Sequence, residues 1–199
     1  MTRRLVIAST NRGKIKEIEA LLEGSPFELL TLDAWPGVEA PEEVGATFDE
    51  NARAKALYYA DATGELTVAE DSGLEIDAMG GAPGVESARF GGAHASYPDK
   101  FALIYDTLKA NAALASPARF VCALALATPG RVLFESRGTV EGRIAPEPKG
   151  AGGFGYDPIF FYTPYGCTLG EATTEQKAAV SHRGHAFRAL RGFLKGQDL

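Results

Sequence analysis

The 199-residue chain reads as an α/β or α+β domain built on a mixed β-sheet flanked by helices. Three observations predict this. Short apolar runs alternate with helix-period segments in the first third of the chain, the rhythm of parallel strands with helical crossovers. Two long strand-like runs, Arg119–Ala127 and Val132–Ile144, flank the tight turn Pro129-Gly130, which calls for paired antiparallel strands. Composition is ordinary for a globular protein, 45% hydrophobic and 23% charged, with no internal repeat and no low-complexity linker. At this length roughly 70% of the unfolded chain's surface can be buried. The expectation is one domain over residues 1–199, with room for two lobes around a cleft.

Taken in order, Leu5–Ala8 is a buried strand that empties into Ser9, Thr10 and Asn11. Ile15, Ile18, Leu21 and Leu22 then recur at helical spacing until Gly24. Phe27–Leu32 is a second strand, followed by a Pro-, Gly- and Glu-rich loop over 33–46. Thr47 and Glu50 form a capping box, so a helix starts there and runs to about Thr63. Leu66–Ala69 is a buried strand ending at the acidic pair Glu70–Asp71. Gly80–Gly92 is a shaped, glycine-rich loop. Pro98 opens a helix with Phe101, Ile104, Tyr105 and Leu108 facing inward. After the long strand pair come a second glycine-rich loop at Lys149–Gly155, a strand at Pro158–Tyr162, and a closing helix from about Ser181 to Leu194.

Charge and cysteine usage exclude several function classes. Lys and Arg total 20 against 26 Asp and Glu, a net charge of −6. So acidic a chain is poorly suited to nucleic acid, for which basic surface supplies most of the affinity. A few local cations and a metal can still reverse the potential inside a cleft, so an anionic small ligand stays open. Cys122 lies in the apolar run Phe120–Ala127 and reads as a buried, reduced thiol, while Cys167 lies in a Gly-flanked turn. Two isolated cysteines make neither a disulfide framework nor a zinc site. Leu5–Ala8 is too short for a secretory signal, and no run approaches the ~18 apolar residues of a membrane span. A cytoplasmic protein without membrane partners is the expectation.

Three constellations carry chemistry. Ser9-Thr10-Asn11-Arg12-Gly13-Lys14 joins a strand to a helix N-terminus, where backbone N–H groups and the helix dipole attract anions. It is not a Walker A loop, since Ala8 and Ile15 stand where that pattern needs Gly and Ser/Thr. An Asn-capped surface helix with solvated charges explains the segment equally well. Val68-Ala69-Glu70-Asp71-Ser72-Gly73 puts two acids and a hydroxyl after a buried run, a usual way to hold Mg²⁺, and Glu42 and Glu43 are further carboxylates. The competing reading is a solvated acidic turn. Gly152-Gly153-Phe154-Gly155-Tyr156-Asp157 sets aromatic rings between glycines, and Lys177 with Ser181-His182-Arg183 adds donors. A ring so placed can stack on a base, although core packing and N-capping account for each piece taken alone. Metal, lysine and helix N-terminus together are the equipment of phosphoryl chemistry.

In these blocks taken together the chain resembles the inosine triphosphatase family of non-standard purine nucleoside triphosphate pyrophosphatases, the bacterial dITP/XTP enzymes. The resemblance runs from Ser9 to Arg183. Its most specific blocks are Thr10–Lys14, Ala69–Leu74, Gly81–Gly84 with Ser87–Phe90, Gly152–Pro158, and Lys177 with Ser181–Arg183. It implies an elongated α/β fold of two lobes with a central substrate cleft, usually a homodimer. It further implies that Lys14 and the turn from Ser9 to Gly13 hold the triphosphate, with Lys55 and Arg89 as helpers. Glu42 and Asp71 would ligate Mg²⁺, Asp71 would also orient or deprotonate the attacking water, and Ser72 would contact substrate. Phe154, with Gly155 and Tyr156 beside it, would stack on the purine. Asp157, Lys177, His182 and Arg183 would read the base edge. The implied reaction releases pyrophosphate and a monophosphate from ITP, dITP or XTP. Two rivals are a Maf-like pyrophosphatase for pyrimidine or modified nucleotides and a non-catalytic nucleotide sensor.

Overall fold

The computed structural model describes residues 3–92 and 94–196. It contains seven strands and five α-helices among the described residues, and it divides into two compact units. The first unit comprises residues 1–71, 122–138 and 182–199, and the second comprises 72–121 and 139–181.

In the first unit β1 (Arg3–Ile7) lies between β2 (Phe27–Thr31) and β3 (Thr67–Ile76) and runs parallel to both. The register pairs Leu5 with Leu29 and Ile7 with Val68. Next to β3 come β4 (Pro117–Thr128) and β5 (Arg131–Ile144), joined by the expected Pro129-Gly130 turn. Gly130 has φ +72°, and its N–H donates to Asp61 at 2.7 Å. Helix α1 (Arg12–Leu21) packs Ile15 and Ile18 onto Leu5, Ile7, Val68, Cys122, Leu124 and Leu126. Helix α5 (His182–Lys195) completes that core with Ala186, Phe187, Leu190 and Leu194. Each such Leu, Ile, Val or Phe side chain, fully buried, contributes about 1.5–3 kcal/mol. Helix α2 (Phe48–Thr63) begins at the predicted box: Thr47 Oγ1 accepts from Glu50 N, and Glu50 Oε2 accepts from Thr47 N. It ends at Gly64, in the left-handed conformation that a C-terminal stop favours.

In the second unit the remaining lengths of β3, β4 and β5 are followed by β6 (Phe160–Tyr162) and β7 (Cys167–Thr168), and β6 is antiparallel to both its neighbours. Helix α3 (Tyr97–Ala110) carries Pro98 in its first turn and buries Phe101, Ile104 and Leu108, with Tyr105 partly buried. These residues form a second core with Leu74, Ile76, Phe120, Ile144, Ile159, Phe160 and Leu169. Helix α4 (Thr174–Val180) starts on a capping box of Thr173 and Gln176.

The structure corrects three readings. Glu70 and Asp71 do not end their strand; β3 continues to Ile76. Neither carboxylate interrupts pairing, because each finds a cationic partner on its own face of the strand. Helix α4 was unforeseen, its seven residues being too few to show a period. Cys167 stands in β7 rather than in a turn, because only the tertiary pairing with Tyr162 defines so short a strand. No described helix is long and apolar enough to cross a membrane.

Candidate active site

Two polar clusters stand out, one in each unit. The first gathers around β3. Successive side chains of a strand project to opposite faces, so Glu70 and Asp71 serve different neighbours. Glu70 is buried, with Oε1 3.1 Å from Lys14 Nζ and accepting from Arg183 Nη2 at 3.2 Å. The Cys122 thiol donates to its Oε2 at 3.5 Å. Burial alone raises a carboxyl's pKa, but Arg183 and Lys14 outweigh it and hold Glu70 far below the usual range. The same burial, with Glu70 beside it, pushes the Cys122 thiol up, so it stays a thiol. Arg183 is 1% exposed at its side chain, and it also donates to Glu17 on α1 at 2.6 Å.

Asp71 accepts from Asn51 Nδ2 at 3.0 Å, and its Oδ1 lies 3.8 Å from Lys55 Nζ. Burial raises the Asp71 carboxyl above its ordinary value, and the lysines only partly offset this. Lys55 Nζ donates to Glu43 Oε1 at 2.6 Å. Burial pulls the Lys55 ammonium down, yet Asp71 and Glu43 prevail and the net shift is upward. Pro41, Glu42, Glu43, Gly45, Asn51 and Lys55 line a cavity of ≈240 Å³, in which Glu42 is an exposed carboxylate.

The turn after β1 is more committed to its own helix than an anion site requires. Asn11 Oδ1 accepts from Gly13 N at 2.9 Å and Lys14 N at 3.1 Å, and Ser9 Oγ accepts from Asn11 N at 3.2 Å. Asn11 is thus an N-cap, worth about 1 kcal/mol. Thr10 is exposed, and Arg12 donates to Asp33 at 3.1 Å. Of this motif, Lys14 is the residue whose charge reaches the β3 acids.

The second cluster surrounds Asp157, at the start of a one-turn 3₁₀ helix. Its buried Oδ2 accepts from Lys177 Nζ at 2.5 Å and from Phe154 N at 2.8 Å. Gly153, at φ +67°, passes so close to that oxygen that a Cβ there would collide with it. Lys177 Nζ also sits 4.7 Å above the Phe154 ring, which is partly buried rather than sealed in a core. Tyr156 is buried: its ring meets Tyr97 edge-on at 5.3 Å and its hydroxyl donates to Ser87 O at 2.8 Å. Gly155, at φ +69°, lies beside Tyr97. Elsewhere in this unit Ser72 is partly buried on β3, and Arg89 makes a two-pronged pair with Glu86, both bonds 3.1 Å.

Lys14, Lys55 and Asp71 therefore assemble in the first unit, and Phe154, Gly155, Tyr156, Asp157 and Lys177 in the second. His182 and Arg183 open α5 in the first unit, and the Arg183 guanidinium faces Glu17 and Glu70. Sequence reasoning passed over Asn51, Glu17 and Tyr97. Asn51 was detectable, because it precedes Lys55 by four residues and both share a helix face with the small Ala52 and Ala56.

Among the described residues no three His, Cys, Asp or Glu side chains cluster as a ready-made metal cage. The donors present suit a hard cation that keeps much of its water. Mg²⁺ takes one or two carboxylates and completes its shell with water and substrate phosphate; the carboxylates available here are Asp71 on β3 and Glu42 and Glu43 on the preceding loop, of which Glu43 is the one whose charge reaches Asp71.

A model of the Ham1 family matches residues 5–193. The chain is 44% identical over 196 residues to a Geobacter sulfurreducens protein named dITP/XTP pyrophosphatase, covering 98% of each. It is 45% identical over 197 residues to one of the same name from an Exiguobacterium species, covering 97% of this chain and all (100%) of that one. Among solved structures, a HAM1 protein from Coxiella burnetii superposes with a TM-score of 0.90 at 36% identity, covering 98% of this chain and 100% of the other. A Mycobacterium abscessus nucleoside-triphosphatase/dITP/XTP pyrophosphatase gives 0.75 at 41% identity, covering 94% and 98%. A family match spanning nearly all described strands and helices, with relatives alike over their full length, leads to one conclusion: the chain belongs to the Ham1 family.

Proposed function

We propose that this protein hydrolyses purine nucleoside triphosphates with altered bases, ITP, dITP and XTP, to the monophosphate and pyrophosphate, clearing them from the nucleotide pool. The observation that carries the reading is the pairing of buried acids with cations around β3: Lys14 on Glu70, and Lys55 and Asn51 on Asp71. The names of the relatives agree with it.

Lys14 and Lys55 would offset the triphosphate's charge, which no neutral site can do. Asp71 would accept the proton of the attacking water; its raised affinity for a proton suits a base more than an ordinary carboxylate would. Asp71 and Glu42 would hold Mg²⁺, which when bound acidifies water and neutralises the leaving pyrophosphate. Phe154 would stack on the purine, with Asp157 and Lys177 fixing its loop. Donors near the base, among them Lys177, would favour an O6 carbonyl over the amino group of adenine, which would leave two donors facing each other. We assign this work to a homodimer in the cytoplasm, where the triphosphate pool is made.

A panel of ITP, XTP, dITP, GTP, ATP, dUTP and dTTP with Mg²⁺, read by pyrophosphate release, tests the function. Turnover concentrated on ITP, dITP and XTP is expected. Preference for dUTP or dTTP, or binding without pyrophosphate release, would overturn it.

A further inference from the structure

Asn51 is buried, 2% exposed, on the first turns of α2. Its carboxamide faces two ways. Oδ1 accepts from Gly45 N at 2.8 Å, and Nδ2 donates to Asp71 Oδ2 at 3.0 Å and to Gly45 O at 3.5 Å. The amide orientation is fixed by its partners: an N–H must meet the oxygen, and a carboxylate must meet the nitrogen. Only Asn satisfies both, because Asp has no donor for Asp71. Gly45 permits the approach, since a Cβ there would stand 2.5 Å from Asn51 Oδ1. Neighbouring Glu50 takes the next two loop amides, Ala46 N at 2.8 Å and Thr47 N at 3.2 Å. Three consecutive loop N–H groups are therefore tied to the start of one helix.

We propose that Asn51 is a positioning residue that sets the separation between Asp71 and the loop carrying Glu42 and Glu43, and so prepares the divalent-cation site before substrate arrives. The inference rests on the reading of Asp71 and Glu42 as metal-holding acids. A short, rigid amide bridge fixes one acid from β3 against the loop, which Lys55 and Tyr58 otherwise hold by longer side chains. With the bridge cut, Asp71 and the loop are joined only through the long Lys55 side chain, 2.6 Å from Glu43 Oε1 and 3.8 Å from Asp71 Oδ1, and the cation must organise more of its own site.

The test uses the full-length protein. Asn51→Ala removes the bridge, Asn51→Asp keeps the acceptor for Gly45 N but loses the donor to Asp71, and Gly45→Ala displaces it by crowding the Asn51 and Glu50 side chains. Mn²⁺ binding to the nucleotide-free protein, followed by electron paramagnetic resonance, should weaken at least tenfold in Asn51→Ala and Gly45→Ala. Amide hydrogen exchange at Gly45 should accelerate at least tenfold in Asn51→Ala and change less than threefold in Asn51→Asp, which keeps the acceptor. The Mg²⁺ concentration for half-maximal ITP hydrolysis should rise about tenfold, while KM for ITP at saturating Mg²⁺ changes less than threefold. Wild-type Mn²⁺ affinity in a folded variant would overturn the proposal, and Gly45→Ala supplies that variant if the Asn51 changes prevent folding. Wild-type protein that binds Mn²⁺ but leaves ITP intact would sink the proposed function while the Asn51 bridge is still judged on binding and exchange.

Discussion

Replacing Glu70 by Gln should destabilise the protein by roughly 2–4 kcal/mol and weaken its dependence on acid. The Glu70 and Arg183 side chains are each 1% exposed and form a pair at 3.2 Å. Removing one member of a buried pair costs about 3–5 kcal/mol, because the other charge is left behind in a poorly polarisable interior. Here Arg183 keeps Glu17 at 2.6 Å, so the loss falls at or below the lower part of that range. For a chain of this size each kcal/mol shifts Tm by about 2–4 °C, so a drop on the order of 4–16 °C is expected at neutral pH. The pH dependence follows from the direction of the Glu70 shift. Its carboxyl is held far below its unfolded value by Arg183 and Lys14, against the effect of burial. Glu70 therefore contributes its full stability above the unfolded pKa and loses it as pH falls toward the folded one. Thermal melts of wild type and Glu70→Gln between pH 3 and 7 should converge on acidification. A parallel pair of curves, or a neutral-pH Tm within 1 °C of wild type, would refute the reasoning.

Other substitutions separate the roles proposed for the two clusters. Asp71→Asn should lower kcat by about 10²–10⁴ while the far-ultraviolet circular dichroism stays that of the wild type. Lys14→Ala should raise KM for ITP by roughly 10–100-fold, the effect of one charge-assisted bond of about 1.5–3 kcal/mol; inorganic triphosphate should lose inhibitory strength in parallel. Phe154→Ala should weaken ITP binding by about 1–3 kcal/mol in titration calorimetry and leave inorganic triphosphate binding unchanged. Exhaustive chelation should abolish pyrophosphate release, and added Mg²⁺ should restore it.

The sequence by itself determined whatever depends on neighbours along the chain. The Thr47–Glu50 box started α2 where it was expected, and Pro129-Gly130 turned β4 into β5. The first turn of α3 followed from Pro98, and the buried side of that helix followed from its period. Local hydrogen bonds and fixed periodicities need only a few adjacent residues, so they are visible in one dimension. Residue types also marked Lys14, Asp71, Phe154, Asp157 and Lys177 as chemically eligible. Only the tertiary structure decided their partners. Nothing local carries β3 past two acids; the strand continues because Arg183, Lys14, Lys55 and Asn51, from three other elements, absorb the charge. The same long-range pairing turned Arg183 toward Glu17 and Glu70, and made Asn51 a bridge between loop and strand. Electrostatic and hydrogen-bond partners separated by 20 to 166 positions obey distance in space, and no spacing rule encodes that.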